Sequence, residues 1–272
     1  MATQMRYRLG FIGTGKLAGS VIRGLMRAKF CSPAEIIASE PNETVRTGLQ
    51  NETGILLTAG NAEVAEHAET ILIGVKPGVV LPALREIASL IDNKIVISLA
   101  AGVRISNMEK IASARFMRAM TNTPSAICRA ATALARGTGT TNKDADLVRK
   151  IFSAIGVVVE VDEERIDAVT ALAGSGPAFV YAVIEALAEG GKKMGLAPDA
   201  ALTLATQTVF GAAQFASESK LSPEELRKMV VTPGGTTAAG LAAMENLKTA
   251  EGLIAAVEAA TKRGQEMAKE NL

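Results

Sequence analysis

The 272-residue chain has a single histidine, His67, two cysteines, Cys31 and Cys128, and no tryptophan. So little imidazole and thiolate excludes a histidine-built metal centre, a zinc ribbon and a disulfide scaffold, and no metal is expected. Aromatic residues make up 3% of the chain, too few for platforms that stack single-stranded bases. Neither sign of charge dominates: 29 Lys and Arg face 28 Asp and Glu, a net charge of +1, which leaves no electrostatic footprint for nucleic acid or an anionic membrane. No apolar run approaches the roughly 18 residues of a membrane span, and the longest, such as Ile95–Ala101, are strand-sized. Met1–Arg8 is polar and carries no secretory apolar region. Together with thiols that look unpaired, this gives the expectation of a cytoplasmic protein whose cysteines pack as small apolar residues. Enzyme chemistry in such a chain has to work almost without imidazole.

What is present is a pattern. The length favours two domains. Short apolar runs at Leu9–Ile12, Ile36–Ser39, Ile55–Thr58, Thr70–Val75, Lys94–Ser98 and Arg115–Met120 alternate with helical stretches such as Leu17–Arg27 and Val79–Leu90. Further strands are expected at Ala131–Ala135 and Val157–Val161, flanking a helix near Asp144–Ser153. Such alternation predicts βαβ units and a mainly parallel sheet. Beyond about Asp162 the strands stop and long Ala- and Leu-rich helices follow, at Pro177–Met194, Pro198–Ala216 and Leu247–Lys269. Pro198 and Pro223 fall at first-turn positions, and Ser222 is placed to cap. The expected fold is an α/β Rossmann-type dinucleotide-binding domain over residues 1–162, followed by an all-α domain over 163–272. The apolar content of that second domain predicts an oligomer.

The sharpest local signal is Gly10-Phe11-Ile12-Gly13-Thr14-Gly15-Lys16-Leu17-Ala18, which follows a strand and opens a helix. Gly13 permits the tight turn, Gly15 lets backbone approach a pyrophosphate, and the small Ala18 lets helix and strand pack closely. The second strand ends at Ser39-Glu40. A carboxylate there accepts from a ribose 2′-OH and repels a 2′-phosphate, which favours NADH. Ser39, Asn42 and Arg46 could instead hold the 2′-phosphate of NADPH if Glu40 points away, so the choice between NADPH and NADH stays open. Gly74-Val75-Lys76-Pro77, Ala100-Ala101-Gly102 and Met120-Thr121-Asn122-Thr123-Pro124 end later strands, where the carboxyl edge of a parallel sheet borders its ligand.

In the helical half, Gly174-Ser175-Gly176-Pro177-Ala178 and Val231-Thr232-Pro233-Gly234-Gly235-Thr236-Thr237 do not look like packing. Each offers N–H groups and hydroxyls at a helix start, a setting suited to a carboxylate. Over nearly the whole chain these segments resemble the pyrroline-5-carboxylate reductases, most distinctively at Pro233–Thr237 followed by Ala239-Gly240-Leu241 and Met244-Glu245. The resemblance implies reduction of 1-pyrroline-5-carboxylate to L-proline with NADPH or NADH, the last step of proline synthesis. It also implies homodimers with interlocked helical domains, assembled further into rings such as a decamer. On this reading residues 163–272 serve dimerisation and substrate binding. Thr232, Gly234, Gly235, Thr236 and Ser175 would hold the substrate, Thr237 would hydrogen-bond its ring nitrogen as the catalytic residue, and Asn61 would lie near the nicotinamide-side ribose. A related layout occurs in 3-hydroxyacid dehydrogenases, but those carry a lysine early on the helix after Gly174-x-Gly176, where this chain reads Phe179-Val180-Tyr181. A nucleotide-sensing protein without turnover would predict an eroded Thr232–Thr237 turn, and here it is intact. His67 is read as a surface residue.

Overall fold

Strands sandwiched between helix layers bury both faces, and the apolar runs of the first half divide in that way. Leu9, Phe11, Ile36, Ala38, Leu72, Ile95, Ile97 and Met117 belong to one buried cluster. Their neighbours Ile12, Ile37, Ile71, Ile73, Val96 and Phe116 belong to another. The period of two puts one cluster on each side of a sheet.

A computed structural model describes residues 7–270, so the first six residues of the polar stretch Met1–Arg8 lie outside the described residues. The α/β part opens with β1 (Tyr7–Ile12), α1 (Lys16–Arg27), β2 (Ile36–Ser39), α2 (Glu43–Thr53), β3 (Leu56–Thr58), α3 (Asn61–His67), β4 (Ala68–Ile73) and α4 (Pro77–Ile87). It continues through β5 (Ile95–Ser98), α5 (Ile105–Glu109), β6 (Arg115–Met120), β7 (Ala130–Arg136), α6 (Asn142–Ser153) and β8 (Gly156–Glu160). Helices α7 (Ile166–Val169), α8 (Gly176–Lys193), α9 (Pro198–Glu218), α10 (Pro223–Met229), α11 (Thr236–Asn246) and α12 (Thr249–Glu270) follow. All eight expected strands are present, with ends shifted by at most two residues, and no strand follows Glu163 among the described residues.

The sheet order is β3-β2-β1-β4-β5-β6-β7-β8, parallel throughout except for the β6–β7 pair. Helix α1 packs Ala18, Val21, Ile22 and Leu25 into the first cluster together with Val148, Ile151 and Phe152 of α6. Helices α3 and α4 bring Val64, Ala65, Val80, Leu84 and Ile87 to the second. Because β1 neighbours both β2 and β4, the chain reverses its winding there and leaves a crevice at the carboxyl ends of the strands.

Both thiols are free; Cys31 is buried, and burial pushes its pKa up to about 11, which makes it an unreactive packing group. His67 is half-buried rather than on the surface, with Nδ1 in the interior at the end of α3.

By compactness the chain forms two units, residues Met1–Ser175 with Glu258–Leu272, and Gly176–Val257. The first unit therefore includes the second half of α12. There Gly102 (φ +66) lies so close to the helix that a Cβ would stand 3.0 Å from Met267 Cβ and 3.2 Å from the Ala268 nitrogen. Gly264 lies over Asp167 in the same way, a Cβ there standing 3.5 Å from the aspartate Cβ.

The second unit is helical. Pro198 and Pro223 open α9 and α10, and Ser222 caps α10 in a reciprocal capping box with Glu225, as the sequence predicts. Few of its side chains are buried: Ala188 in α8, Ala201 and Ala205 in α9, and none in α10 or α11. Leu187, Phe210, Phe215, Met244 and Ile254 are exposed in a single copy, an apolar surface of the kind that marks an interface.

One expectation is corrected here. The stretch Glu163–Lys193 is helical over 31 residues and, by length and composition, apolar enough to cross a membrane. Gly174, Ser175 and Pro177 interrupt its apolar sequence without ending the helix, which is why no long run is evident from the residues alone.

Candidate active site

The turn from β1 to α1 shows why each of its glycines is a glycine. Gly13 has φ +82, and a Cβ there would stand 2.5 Å from Val75 Cγ1, so both conformation and packing demand it. Gly74 receives Ala18 in the same way, a Cβ on it meeting Ala18 Cβ at 2.5 Å. Helix α1 is thereby pressed against the end of β4. Gly15 is different. Its φ of −57° suits any residue, and a Cβ would meet only the Gly74 carbonyl at 3.9 Å. Glycine at 15 keeps open the space beside a helix start that no side chain caps. The first-turn N–H groups of α1 have no acceptor within the helix, so a pyrophosphate fits there on shape, charge and hydrogen bonding.

That opening is one wall of a crevice of about 420 Å³ at the carboxyl ends of β1, β4, β5 and β6. Gly15, Lys16, Leu17, Gly74, Val75, Lys76, Pro77, Ala100 and Ala101, all expected from the sequence, line it together. Leu99, Met120, Thr121, Asn122, Thr123 and Gly174 line it too. The sequence marks Met120–Pro124 as a strand edge whose small and hydroxylated residues suit backbone approach to a ligand, and Met120–Thr123 line the crevice.

Several expected residues stand elsewhere. Ile12 is fully buried in the core and contributes only its carbonyl, which accepts from Gly74 N–H at 2.8 Å. Gly102 is a packing glycine under α12 and does not line the crevice. Ser39, Glu40 and Thr14 cluster beyond the glycine turn, on the β2 side. Thr14 Oγ1 donates to Glu40 Oε2 at 3.0 Å, and Asn42 N–H donates to Oε1 at 3.0 Å. Arg46 does not face outward to wait for a phosphate; its Nη1 donates to the Glu40 carbonyl at 2.7 Å. Asn61 is a correction. It accepts from Ser39 Oγ at 2.7 Å and donates to Glu86 Oε2 at 2.7 Å. This places it at the ends of β2 and β3, the adenosine side of a dinucleotide fold, and not with the nicotinamide.

The reading of Gly174–Ala178 as a free helix start is also corrected. Thr170–Gly174 is a π-helical turn that runs into α8, and Ser175 N–H already donates to the Thr170 carbonyl at 2.8 Å. Ser175 itself is half-buried.

The Thr232–Thr237 turn belongs to the helical unit. Gly234 takes φ +71, and Gly235 lies against Thr232, where a Cβ would stand 2.3 Å from Oγ1. Gly235 N–H donates to the Thr232 carbonyl at 3.0 Å, and α11 then begins at Thr236 with no side-chain cap.

Residues 163–267 match the family model for pyrroline-5-carboxylate reductase dimerisation, and residues 8–102 match the model for NADP oxidoreductase, coenzyme F420-dependent. A pyrroline-5-carboxylate reductase of Arabidopsis thaliana is 38% identical over 97% of this chain and 96% of its own length. The chain belongs to the pyrroline-5-carboxylate reductase family. Among solved structures, the Coxiella burnetii pyrroline-5-carboxylate reductase matches this reductase with a TM-score of 0.88 at 32% identity, covering 97% of this chain and 99% of that one. The Plasmodium falciparum pyrroline carboxylate reductase, solved with NADP bound, gives 0.88 at 28% identity with the same coverage. The reductase is an NAD(P)H-dependent enzyme that converts 1-pyrroline-5-carboxylate to proline. Its fold is a Rossmann-type domain followed by an all-α dimerisation domain.

Proposed function

We propose that the substrate carboxylate seats at the N-terminus of α11, within the Thr232–Thr237 turn, and that Thr237 meets the ring nitrogen. One observation carries this reading. The hydroxyls of Thr232, Thr236 and Thr237 have no hydrogen-bond partner among the described residues, around a helix start whose first-turn N–H groups also lack acceptors. A protonated cyclic imine is already an electrophile, so the protein need supply neither a strong acid nor imidazole. The ring N–H⁺ donates to Thr237 Oγ1, which fixes the ring, while the backbone N–H groups and the other two hydroxyls donate to the carboxylate. When bound in the crevice, NAD(P)H would supply the hydride to the imine carbon, the ring carbon doubly bonded to nitrogen. The carbon–nitrogen double bond becomes single, and the proton stays on nitrogen as the amine of proline. What the chain contributes is orientation, and near-attack placement lowers such barriers by roughly 7–11 kcal/mol.

The test is oxidation of NADPH or NADH by the purified chain with 1-pyrroline-5-carboxylate; folded protein that turns over neither would overturn the reading.

Both cofactors are accepted, and Glu40 tilts the balance towards NADH. Its half-buried carboxylate closes the adenosine end of the glycine turn, where a 2′-phosphate would meet a like charge. Glu40→Ser is expected to raise the NADPH-to-NADH ratio of kcat/KM by about tenfold or more. An unchanged ratio would remove Glu40 from cofactor choice. The working form is a homodimer through the helical unit, assembled further into a decamer, in the cytoplasm. Support comes from the exposed apolar faces of that unit and from the free thiols.

A further inference from the structure

The π-helical turn Thr170–Gly174 stands between α7 and α8, and such wide turns concentrate at functional sites. Two residues account for this one. Pro177, the second residue of α8, has no N–H, and a proline ring crowds the carbonyl four residues back. That carbonyl is Ala173. It is left without its helical donor, and Asn122 takes it: Nδ2 donates to Ala173 O at 3.1 Å. The other end of the same amide accepts from Ala131 N–H at 3.2 Å. A backbone N–H can only donate, so the amide oxygen must face Ala131 and the nitrogen must face Ala173. Asn122 is 7% exposed and lies two residues past the end of β6, on the wall of the crevice that Gly174 also lines.

We propose that Asn122 is a positioning residue for the reduction: its amide holds the π turn open and so fixes Gly174 at the crevice and Ser175 at the entry to α8. Without the bond, Ala173 O is a half-buried acceptor that has lost its donor, and the turn has no reason to keep its width. The role is distinct from that of the threonine turn, since it acts through the backbone of residues 170–175.

Three single variants and one double variant test it, read by kcat and KM for each substrate and by thermal unfolding. Asn122→Ala removes donor and acceptor, and kcat/KM is expected to fall about tenfold or more. Asn122→Asp keeps size and an oxygen for Ala131 N–H but turns a carboxylate on the Ala173 carbonyl. A protonated aspartic acid can donate where the carboxylate cannot, and burial beside an acceptor favours that form. The activity of Asn122→Asp relative to the parent should therefore recover as pH falls below neutral. Pro177→Ala returns an N–H to compete for Ala173 O. Combined with Asn122→Ala it should add no further loss, because both act through one carbonyl. A relative activity of Asn122→Asp that is flat with pH would overturn the proposal. So would unchanged kinetics in folded Asn122→Ala, or additive losses in the double variant. Should Asn122→Ala fail to fold, the Asn122→Asp pH series decides alone.

Discussion

Thr237→Ala is expected to lower kcat by roughly a hundredfold, the scale of a lost positioning contact, while NAD(P)H binds as before. The residue sits at the second position of α11, half-buried, with a hydroxyl that no group among the described residues engages. A threonine at such a place has little reason to be polar for the sake of the fold, because Ser, Thr and Asn help a helix at its cap and not inside its first turn. Removing one hydroxyl leaves the backbone N–H groups and the Thr232 and Thr236 hydroxyls in place for the carboxylate, so KM should change far less than kcat. Thr237→Ser keeps the oxygen and should keep most of the rate. Steady-state kinetics with fluorescence titration of the cofactor measures all three quantities. A Thr237→Ala enzyme with the parental kcat would take Thr237 out of the mechanism.

The second large effect concerns stability. Arg118 on β6 is 1% exposed, and its Nη1 lies 3.3 Å from Glu163 Oε1, a carboxylate whose side chain is 20% exposed. Burial pulls the pKa of Arg118 down, and Glu163 opposes it. The same Glu163 oxygen accepts from Ile105 N–H at 2.7 Å, while Arg118 Nη2 donates to the Ala100 carbonyl at 3.3 Å. Arg104 joins the cluster by pairing with Asp167 at 2.7 Å. The loop between β5 and α5, whose first residues line the crevice, is thus pinned at Ala100 and at Ile105.

Glu163→Ala strands a buried cation and an amide together. The expected cost is about 3–5 kcal/mol, which for a chain of this size lowers the unfolding midpoint by roughly 6–20 °C. Adding Arg118→Met removes the stranded charge, so the double variant should be more stable than Glu163→Ala alone. Thermal unfolding by circular dichroism decides: a Glu163→Ala protein as stable as the parent would mean that water, not Glu163, solvates Arg118.

The parts of the site that were readable in the sequence are those where one residue type answers to one backbone need. Gly13 is demanded by its own φ and by Val75, and Ala18 by Gly74, so the fingerprint survives as local arithmetic. The helix starts at Pro198 and Pro223 are local in the same sense. Gly102 misled because its partner, α12, arrives from more than a hundred residues away, and glycine under a helix is indistinguishable in sequence from glycine under a ligand. Asn61 misled through resemblance alone; its neighbours Ser39 and Glu86 come from different strands and helices. The π turn was hidden because Pro177 reads as a helix start. Only the fold supplies Asn122, the second donor that lets the helix pass through.

The return of α12 to the first unit has a consequence for how the protein is made. A ribosome delivers all eight strands long before it delivers Met267 and Ala268, the residues that close over Gly102, or Gly264, which covers Asp167. Until then the nucleotide-binding unit lacks the helix that packs on Gly102, next to the loop that carries Ala100 and Ala101. Domains generally fold in the order of synthesis. This one has to wait for α12, so a chain shortened by a premature stop leaves Gly102 and Asp167 uncovered even though every strand and the glycine turn have been translated.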